Sequence, residues 1–287
     1  MKISVAVFAY NEEKLVRRAV RNLLDGRALN SHEIQIHILA NGCTDNTLDI
    51  VNEIAKCDSR VVVHNIEFAD KSNAWNYYLY NVASDSDVHC FTDGDCFVSQ
   101  DALFMTHDCL SRNEEANGLA GLPLSGRNKI VLSGYIHQYG WVYGNFYAIR
   151  GSHLKALAAH NIKLPVGLVG DDGYVGNFVR LNFETFDIDD IRRVMSNPLI
   201  GYHFESFKLN SLEGLASYIN RYANYYIRQK QFSYLEGIRM NLLPASTREM
   251  DKKILYEIEE KSFASFSPIL RAAKRKLIAR ARRGYLP

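Results

Sequence analysis

The sequence predicts an α/β protein built on a Rossmann-like, mostly parallel sheet flanked by helices. Three observations predict it. Apolar strand-like runs alternate with helical patterns three times in the first 90 residues, a fourth strand follows, and polar clusters stand directly after the strands. Such alternation implies crossover connections between parallel strands. In sheets of this kind, ligands bind beyond the carboxyl ends of the strands.

The first predicted strand covers residues 3–10. A helix should follow Asn11, which we expect to cap it, with Glu12 and Glu13 in its first turn. Further strands are predicted over 34–40, 60–64 and 88–93, with helices starting near Thr44 or Asp45 and near Ser72.

Past residue 100 the pattern changes. Helices are predicted near 101–112 and from Asp171 toward Arg180, a strand leads to residues 202–204, and the chain is helical from about 211. The aromatic-rich segment 135–147 is predicted as a sheet edge lining a groove or as β-core, and composition favours core. We expect a catalytic domain over 1–210, divided into 1–100 and 101–210, and a helical C-terminal region over 211–287.

Composition is that of a globular protein, with 47% hydrophobic and 23% charged residues among 287. All five cysteines lie in the first 110 residues and form no Cys-x-x-Cys motif, which favours free thiols in a reducing compartment. Neither a signal-peptide pattern nor an apolar run of roughly 18 residues occurs. These features predict a soluble cytoplasmic protein.

Two carboxylates, Asp93 and Asp95, follow the fourth strand with only Gly94 between them. Carboxylates this close repel one another unless a cation lies between them, and a divalent ion with oxygen ligands would serve. A solvated Asp-Gly turn is the alternative. Polar clusters also follow the other predicted strands, at residues 10–12, at 41–45 and at Lys71. Their convergence on one sheet edge favours a binding site.

The order of these motifs over about 1–225 resembles glycosyltransferase family 2, which has the GT-A fold. Residues 5–13 resemble its opening strand and Tyr-Asn-Glu turn, 41–47 its Asp-Gly-Ser-x-Asp-x-Thr loop, and 91–95 its Asp-x-Asp signature. The other similar pieces are Lys71, Ala74 and Asn76 (Lys-x-x-Ala-x-Asn), Gly144–Arg150 in the acceptor half, Asp171-Asp172 (Glu-Asp) and Arg221-Tyr222 (Gln-x-x-Arg-Trp).

The resemblance implies a metal-dependent inverting transferase. It would move a sugar from a nucleotide-sugar donor, with a UDP-sugar favoured, to a glycan or lipid-linked acceptor. Asp172 would be the general base and Asp171 its support. Asp95 would bind Mn²⁺ or Mg²⁺ directly, and Asp93 would hold the ribose, the metal or both.

The resemblance also implies the donor contacts. Ala9 and Tyr10 would border the nucleobase, Glu12 the nucleoside, and Arg221 the diphosphate. Lys71 would meet the base or phosphates, or else be a surface lysine. Asn41 departs from the family's aspartate, which leaves the identity of the base open.

His203 is a candidate third metal ligand that would favour Mn²⁺, because imidazole is softer than a carboxylate. Its alternative is a histidine packed between two aromatic residues.

Residues 271–287 hold seven Lys or Arg and no acid, and Leu270, Ala273, Leu277 and Ala281 share one helical face. This pattern suits an anionic membrane surface, and hence a protein peripheral to the inner face of a membrane. A solvated or oligomer-packing helix is the equal alternative. The body of the chain offers no matching basic surface for nucleic acid.

Three other functions compete with inverting transfer. A retaining transferase would share the fold. A nucleotidyltransferase normally opens with a Gly-rich, basic loop, which residues 10–12 are not. A non-catalytic nucleotide-binding protein would bind the donor without turnover, and the acids at 93, 95 and 172 argue against it.

Overall fold

A computed structural model describes residues 2–25, 33–186, 188, 190–204, 212–260 and 267–285. The chain divides into two compact units, one of residues 1–162 and 172–205, the other of 163–171 and 206–287. The sequence places the boundary at 210 and gives no sign that 163–171 belongs with the C-terminal region. The division of the first domain at residue 100 stays a prediction.

The first unit is built on a seven-stranded sheet in the order β3-β2-β1-β4-β8-β6-β9, with a smaller sheet β5-β10-β7. The strands are β1 (Lys2–Ala9), β2 (Glu33–Asn41), β3 (Val61–Ile66), β4 (Val88–Asp93), β5 (Cys96–Val98), β6 (Gly118–Ala120), β7 (Leu122–Pro123), β8 (Phe146–Arg150), β9 (Val194–Met195) and β10 (Gly201–Phe204). Strands β1 to β4 are parallel, as predicted, and β8 runs antiparallel to β4 and β6.

Helices cover the large sheet. They are α1 (Val16–Leu24), α2 (Thr47–Cys57), α3 (Lys71–Tyr77, continued by a π-helical turn over Tyr78–Val82), α4 (Ala102–Ser111), α5 (Lys129–Tyr139), α6 (Gly151–Ala159) and α7 (Asp171–Arg180). Every residue of β1 after Lys2 is buried, as expected for a central parallel strand covered on both faces. Val16, Val20 and Leu23 of α1 belong to the same core.

The predicted start of the first helix is wrong. Asn11 does not cap it, because its backbone is left-handed, with φ of 56°, and its side chain bonds to the Thr44 segment instead. Helix α1 begins only at Val16, so Glu12 and Glu13 precede it. These acids are part of the loop that follows β1.

The β prediction for 135–147 is wrong over most of its length. Helix α5 runs to Tyr139, a loop follows, and strand β8 starts at Phe146. Aromatic content favoured a strand, but Tyr135 and Tyr139 are spaced one helical turn apart on α5.

The second unit contains α8 (Leu212–Leu235), α9 (Arg248–Glu260) and α10 (Pro268–Arg283). The predicted helix of the basic tail is therefore present. Its apolar side chains at Leu270, Ala273 and Leu277 are buried in a cluster with residues of α8 and α9, whereas Ala281 is exposed. The apolar face predicted to meet a membrane is thus already covered within this unit.

A buried carboxylate ties the second unit together. Asp251 of α9 is 3% exposed and accepts hydrogen bonds from Thr247, Gln231, Arg280 and Tyr285. Gln231 also bonds to the backbone of Gly167 and Val169, which holds segment 163–171 to this unit.

Across the part of the chain that the structure describes, no helix is long and apolar enough to cross a membrane.

Candidate functional site

The carboxyl ends of β1, β2 and β4 lie side by side. In the parallel registers Ala9 pairs with Ala40, and Phe8 pairs with Asp93. The loops that follow these strands therefore emerge at one edge of the sheet, where the predicted polar clusters meet.

The loops after β1 and β2 are joined by side-chain hydrogen bonds. The Thr44 amide donates to Asn11 Oδ1 at 2.8 Å, and the Glu12 amide donates to Thr47 Oγ1 at 2.7 Å. The Glu13 amide donates to Asp45 at 3.1 Å. Ala9 is fully buried, while the Tyr10 ring is 52% exposed at this edge. An exposed ring beside a rigid loop is available to a ligand.

Asn41 is 5% exposed and holds the next loop in place. Its Oδ1 accepts a hydrogen bond from the Asp70 amide at 3.0 Å. Gly42 has φ of +64°, and a Cβ there would lie 2.4 Å from Ala69 Cβ. Asn41 therefore positions the turn before α3. An aspartate would also accept this bond, so the departure from the family pattern leaves the turn intact.

Lys71 reaches the acids instead of extending into solvent. Asp70 caps α3 by accepting from the Asn73 amide, which fixes the first residue of the helix. From there Lys71 Nζ donates to Asp93 Oδ1 at 2.5 Å and lies 5.4 Å from the Phe8 ring centroid. The Lys71 side chain is 30% exposed, and its contact with the base or phosphates of a donor stays a prediction.

Asp93 and Asp95 form a cluster of potential metal ligands with Cys96. Their ligand atoms all lie within 4.8 Å of one another. Burial raises the pKa of the Asp93 carboxyl and Lys71 lowers it, while the negative charges of Asp95 and Asp172 raise it further. Burial also raises the pKa of Glu12 to about 7, with added contributions from Asp95 and Asp93. The acids from three loops are therefore electrostatically coupled.

The sequence predicts Cys96 only as one of five free thiols and gives it no role at this site. Its Sγ donates to Asp95 Oδ1 at 3.4 Å and accepts from Asn145 Nδ2 at 3.0 Å. Burial, reinforced by the charges of Asp93 and Asp95, raises the pKa of the thiol, so it stays protonated at neutral pH. Its position directly after the Asp-Gly-Asp motif is the sequence feature that could have placed it at the site.

His203 is not brought into this cluster, whose members among the described residues are Asp93, Asp95 and Cys96. It lies exposed on β10, paired with Phe97 of β5. Its neighbour Tyr202 is buried, and its pKa is raised by burial and then by groups that include Cys96 and Asp172. Alternate residues of a strand face opposite sides, so Tyr202 is the residue of β10 on the acid side.

Asp172 lies near the same acids. Its Oδ2 accepts from the Gly144 amide at 3.2 Å and its Oδ1 from the Gly173 amide at 3.0 Å. A methyl group built on Gly144 would lie 2.9 Å from Lys71 Nζ, 3.6 Å from Asp172 Cβ and 3.8 Å from Asp93 Oδ2. Gly144 therefore sits where the lysine and the two acids approach, and a side chain there would have to displace the end of Lys71.

Two predicted site residues belong to the second unit. Asp171 is the last residue of its segment 163–171, and Arg221 is exposed on α8. Their roles toward the acid cluster stay predictions.

Comparison with known proteins identifies a family for part of the chain. Residues 4–120 match the sequence model of glycosyl transferase family 2. This range includes β1 to β6, and hence Asp93 and Asp95, but ends before Asp172. Among curated proteins, none matches the chain.

Several solved structures share the fold. The mannosyltransferase PcManGT from Pyrobaculum calidifontis, in complex with GDP-Man and Mn²⁺, is 17% identical with a TM-score of 0.63, and the match covers 99% of this chain and 76% of that one. TarS 1–349 of S. aureus in complex with UDP-GlcNAc is 15% identical with a TM-score of 0.52, covering 99% and 92%.

Glucosyl-3-phosphoglycerate synthase from Mycobacterium tuberculosis, in complex with Mn²⁺, UDP and glucosyl-3-phosphoglycerate, is 19% identical with a TM-score of 0.51, covering 79% of each chain. These likenesses show that the chain has the GT-A fold.

Proposed function

We propose that this chain, whose residues 4–120 match the sequence model of glycosyl transferase family 2, transfers a sugar from a nucleotide-sugar donor to an acceptor hydroxyl with inversion. The observation that carries the proposal is the meeting of two acid groups at one sheet edge. Asp93 and Asp95 lie within ligand distance of each other, and Asp172 is close enough to raise the pKa of Asp93.

The acid cluster fits a divalent cation. Carboxylate oxygens are the ligands that Mn²⁺ and Mg²⁺ prefer, whereas a cysteine sulfur suits softer ions. Asp95 and Asp93 would hold it, and the ion would supply neutralisation of the leaving diphosphate. Lys71 occupies one oxygen of Asp93 in the free protein. His203 lies outside the cluster of potential ligands. Its role as a further metal ligand therefore stays a prediction.

The edge loops provide the donor site. Tyr10 would offer its exposed side chain to the base, Ala9 would border the base, and Glu12 would contact the nucleoside. Lys71 and Arg221 would meet the phosphates, and Asn41 would shape the base pocket through the turn that it holds. A UDP-sugar is the favoured donor. The structural neighbours carry both UDP and GDP compounds, so the base must be measured.

Asp172 would accept the proton of the attacking hydroxyl, with Asp171 in support. Both Asp172 oxygens accept backbone N–H bonds, which fixes the carboxylate without using a side chain that would block the acceptor. A retaining transferase on the same fold is the second candidate, and NMR of the product anomer separates the two.

The acceptor is proposed to be a glycan or a lipid-linked glycan, and the enzyme to act in the cytoplasm at the inner face of a membrane. All five cysteines are free thiols, which supports a reducing compartment. Because the apolar side of α10 is covered, the basic tail would reach a membrane only through its exposed cations, such as Arg275, Arg282 and Arg283.

The test is a thermal-shift panel of UDP-, GDP- and dTDP-sugars with and without Mn²⁺, followed by NMR of the turnover product. A ligand that binds only the folded protein raises its unfolding temperature. A metal-dependent shift with one class of nucleotide sugar, and transfer of its sugar, supports the proposal. A shift without turnover on any acceptor would identify a non-catalytic nucleotide-binding protein instead.

A further inference from the structure

Helix α5 (Lys129–Tyr139) exposes apolar side chains that a soluble helix normally buries. Ile130 is 80% exposed and Val131 is 53% exposed. Tyr135 and Tyr139 are each 40% exposed, and Ile136 is the one buried residue of the helix. Exposed apolar patches on this scale mark surfaces that meet a partner.

The exposed apolar residues share one face. At the helical spacing of about 100° per residue, Ile130, Val131, Tyr135 and Tyr139 fall within one half of the helix circumference. The opposite side is anchored to the first unit. Ile136 is in the core, His137 Nδ1 bonds to Ser196 Oγ at 2.9 Å, and the Tyr139 carbonyl accepts from Arg180. The apolar face is therefore held outward by a rigid support.

Aromatic rings extend this face beyond the helix. Trp141 is 44% exposed, and its ring centroid lies 5.2 Å from that of Tyr135 and 5.5 Å from that of Tyr139. Tyr and Trp combine an apolar ring with a polar group, which is why they collect at membrane–water interfaces. Ile and Val flanked by such rings give the composition of a helix that lies in that interface.

The stretch of chain around α5 contains basic residues but no acidic ones. Residues 116–170 contain no Asp or Glu, whereas 55 residues at the chain's average of 32 acids in 287 would hold about six. Arg127 and Lys129 are both exposed at the start of α5. An apolar face that follows two exposed cations, in a stretch of chain without acids, is complementary to an anionic lipid surface.

We propose that α5 and Trp141 form a membrane-docking surface that inserts into the headgroup region of an anionic lipid bilayer. Unlike α10, whose apolar residues lie in the core of the second unit, α5 presents an apolar face that nothing in the described chain covers.

The docking surface is connected to the candidate site by a short loop. Trp141 precedes Gly144 by three residues, a span of at most about 11 Å, and the Gly144 amide binds Asp172. Val142 between them packs against Gly176 of α7, the helix that carries Asp172. A bilayer under α5 would therefore present a lipid-linked acceptor close to the base. Only this link between membrane docking and the delivery of an acceptor rests on the proposed function.

The binding test uses the full chain, without turnover, in flotation with phosphatidylcholine vesicles that contain or lack phosphatidylglycerol. We expect the protein to float with the anionic vesicles. The double variant I130N/V131N should bind about tenfold more weakly, because two aliphatic side chains no longer insert. Leu199→Asn is the matched control, since Leu199 is 67% exposed in the same unit, on a loop that bonds to Ser99 through its carbonyl, and it should bind like the wild type.

The chain's two tryptophans give a site-specific readout. Trp75 is 1% exposed and remains in the core, so a blue shift of the emission on adding anionic vesicles reports Trp141. We expect the shift in the wild type and its loss in Trp141→Phe, while the phenylalanine variant still floats. Circular dichroism melting checks that each variant is folded.

Several outcomes would overturn the proposal. They are equal binding of I130N/V131N and wild type, an equal loss in Leu199→Asn, or no dependence on phosphatidylglycerol. Dimerisation of the wild type that the double variant abolishes would assign the face to a second copy of the chain. If vesicle binding holds while no nucleotide sugar is turned over, only the proposed function fails.

Discussion

Lys71 is the residue that controls the charge of the acid cluster in the free protein. Its ammonium lies 2.5 Å from Asp93 and is about 30% exposed. We expect Lys71→Met to bind Mn²⁺ about three- to tenfold more tightly, because the ion no longer competes with or faces that cation. Titration calorimetry of the nucleotide-free protein measures this. Lys14→Met, at an exposed lysine, should leave the affinity unchanged, and weaker binding in Lys71→Met would contradict the assignment.

Asp172 tests the proposed chemistry at the same scale. Asp172→Asn keeps an acceptor oxygen for one of the Gly144 and Gly173 amides but cannot accept a proton, so kcat should fall about 100- to 10,000-fold. Donor binding and the unfolding temperature should stay near the wild-type values. Asp108→Asn on α4 is the control. Near wild-type turnover by Asp172→Asn would mean that another group is the base.

Sequence motifs predicted the residues whose charged side chains meet at the site. They did not predict residues whose role depends on the space around them. Asp93, Asp95 and Lys71 meet as the motif order predicts. The closeness of Gly144 to three of these groups depends on how the loop before β8 folds, which no local pattern encodes. His203 directly follows Tyr202 in β10. Neighbouring residues of a strand point to opposite faces, so His203 points away from the acids when Tyr202 points toward them.

The helices of the second unit depend on one buried ion pair. The Asp251 and Arg280 side chains are 4% and 14% exposed and lie 2.8 Å apart. Asp251→Ala leaves Arg280 buried without its partner and removes three further hydrogen bonds, so urea unfolding should show a loss of about 3–5 kcal/mol. The exposed pair Glu249–Lys252 on α9 is the control, since Glu249→Ala should leave the urea midpoint close to the wild-type value.

Helices and strands with continuous apolar patterns were predictable, and those whose limits depend on tertiary contacts were not. Strand β1 is continuously apolar from Val5 to Ala9 because both faces are covered, and that pattern is local. The delayed start of α1 follows from hydrogen bonds between Asn11 and Thr44, which are 33 residues apart. Helix α5 buries few of its residues. Its sequence therefore lacks the regularly spaced apolar positions of a helix that packs against a core.

For the whole molecule, buried neutral histidines set the acid limit of stability. Burial lowers the pKa of His37, His89 and His153 to about 4 each, with smaller contributions from neighbouring charges. These groups bind a proton near pH 6.5 when the chain unfolds, so their stabilisation is complete above pH 6.5. It is lost as pH falls toward 4, by about 3 kcal/mol for each histidine.

The unfolding temperature, followed by circular dichroism from pH 7.5 to 4, should therefore fall steeply below pH 6.5. His89→Phe should flatten the curve if the variant folds, and substitution of the exposed His160 by Gln should not. A flat profile for the wild type would show that these side chains charge as readily in the folded protein as in the unfolded one.

The order of motifs predicted the fold class and the parallel order of β1 to β4, because alternation and strand-end polarity are both local signals. The return of segment 163–171 to the C-terminal unit was not predictable. It depends on hydrogen bonds from Gln231 to Val169 and Gly167, more than 60 residues away.

The salt bridge between Lys71 and Asp93 means that the protein carries its own counter-ion for the acid cluster. Under the proposed function, a protein arranged in this way should stay folded in a chelator, because the charge that the divalent ion would balance is already partly balanced from within. Metal loading would then be an exchange at a formed site rather than a step of folding.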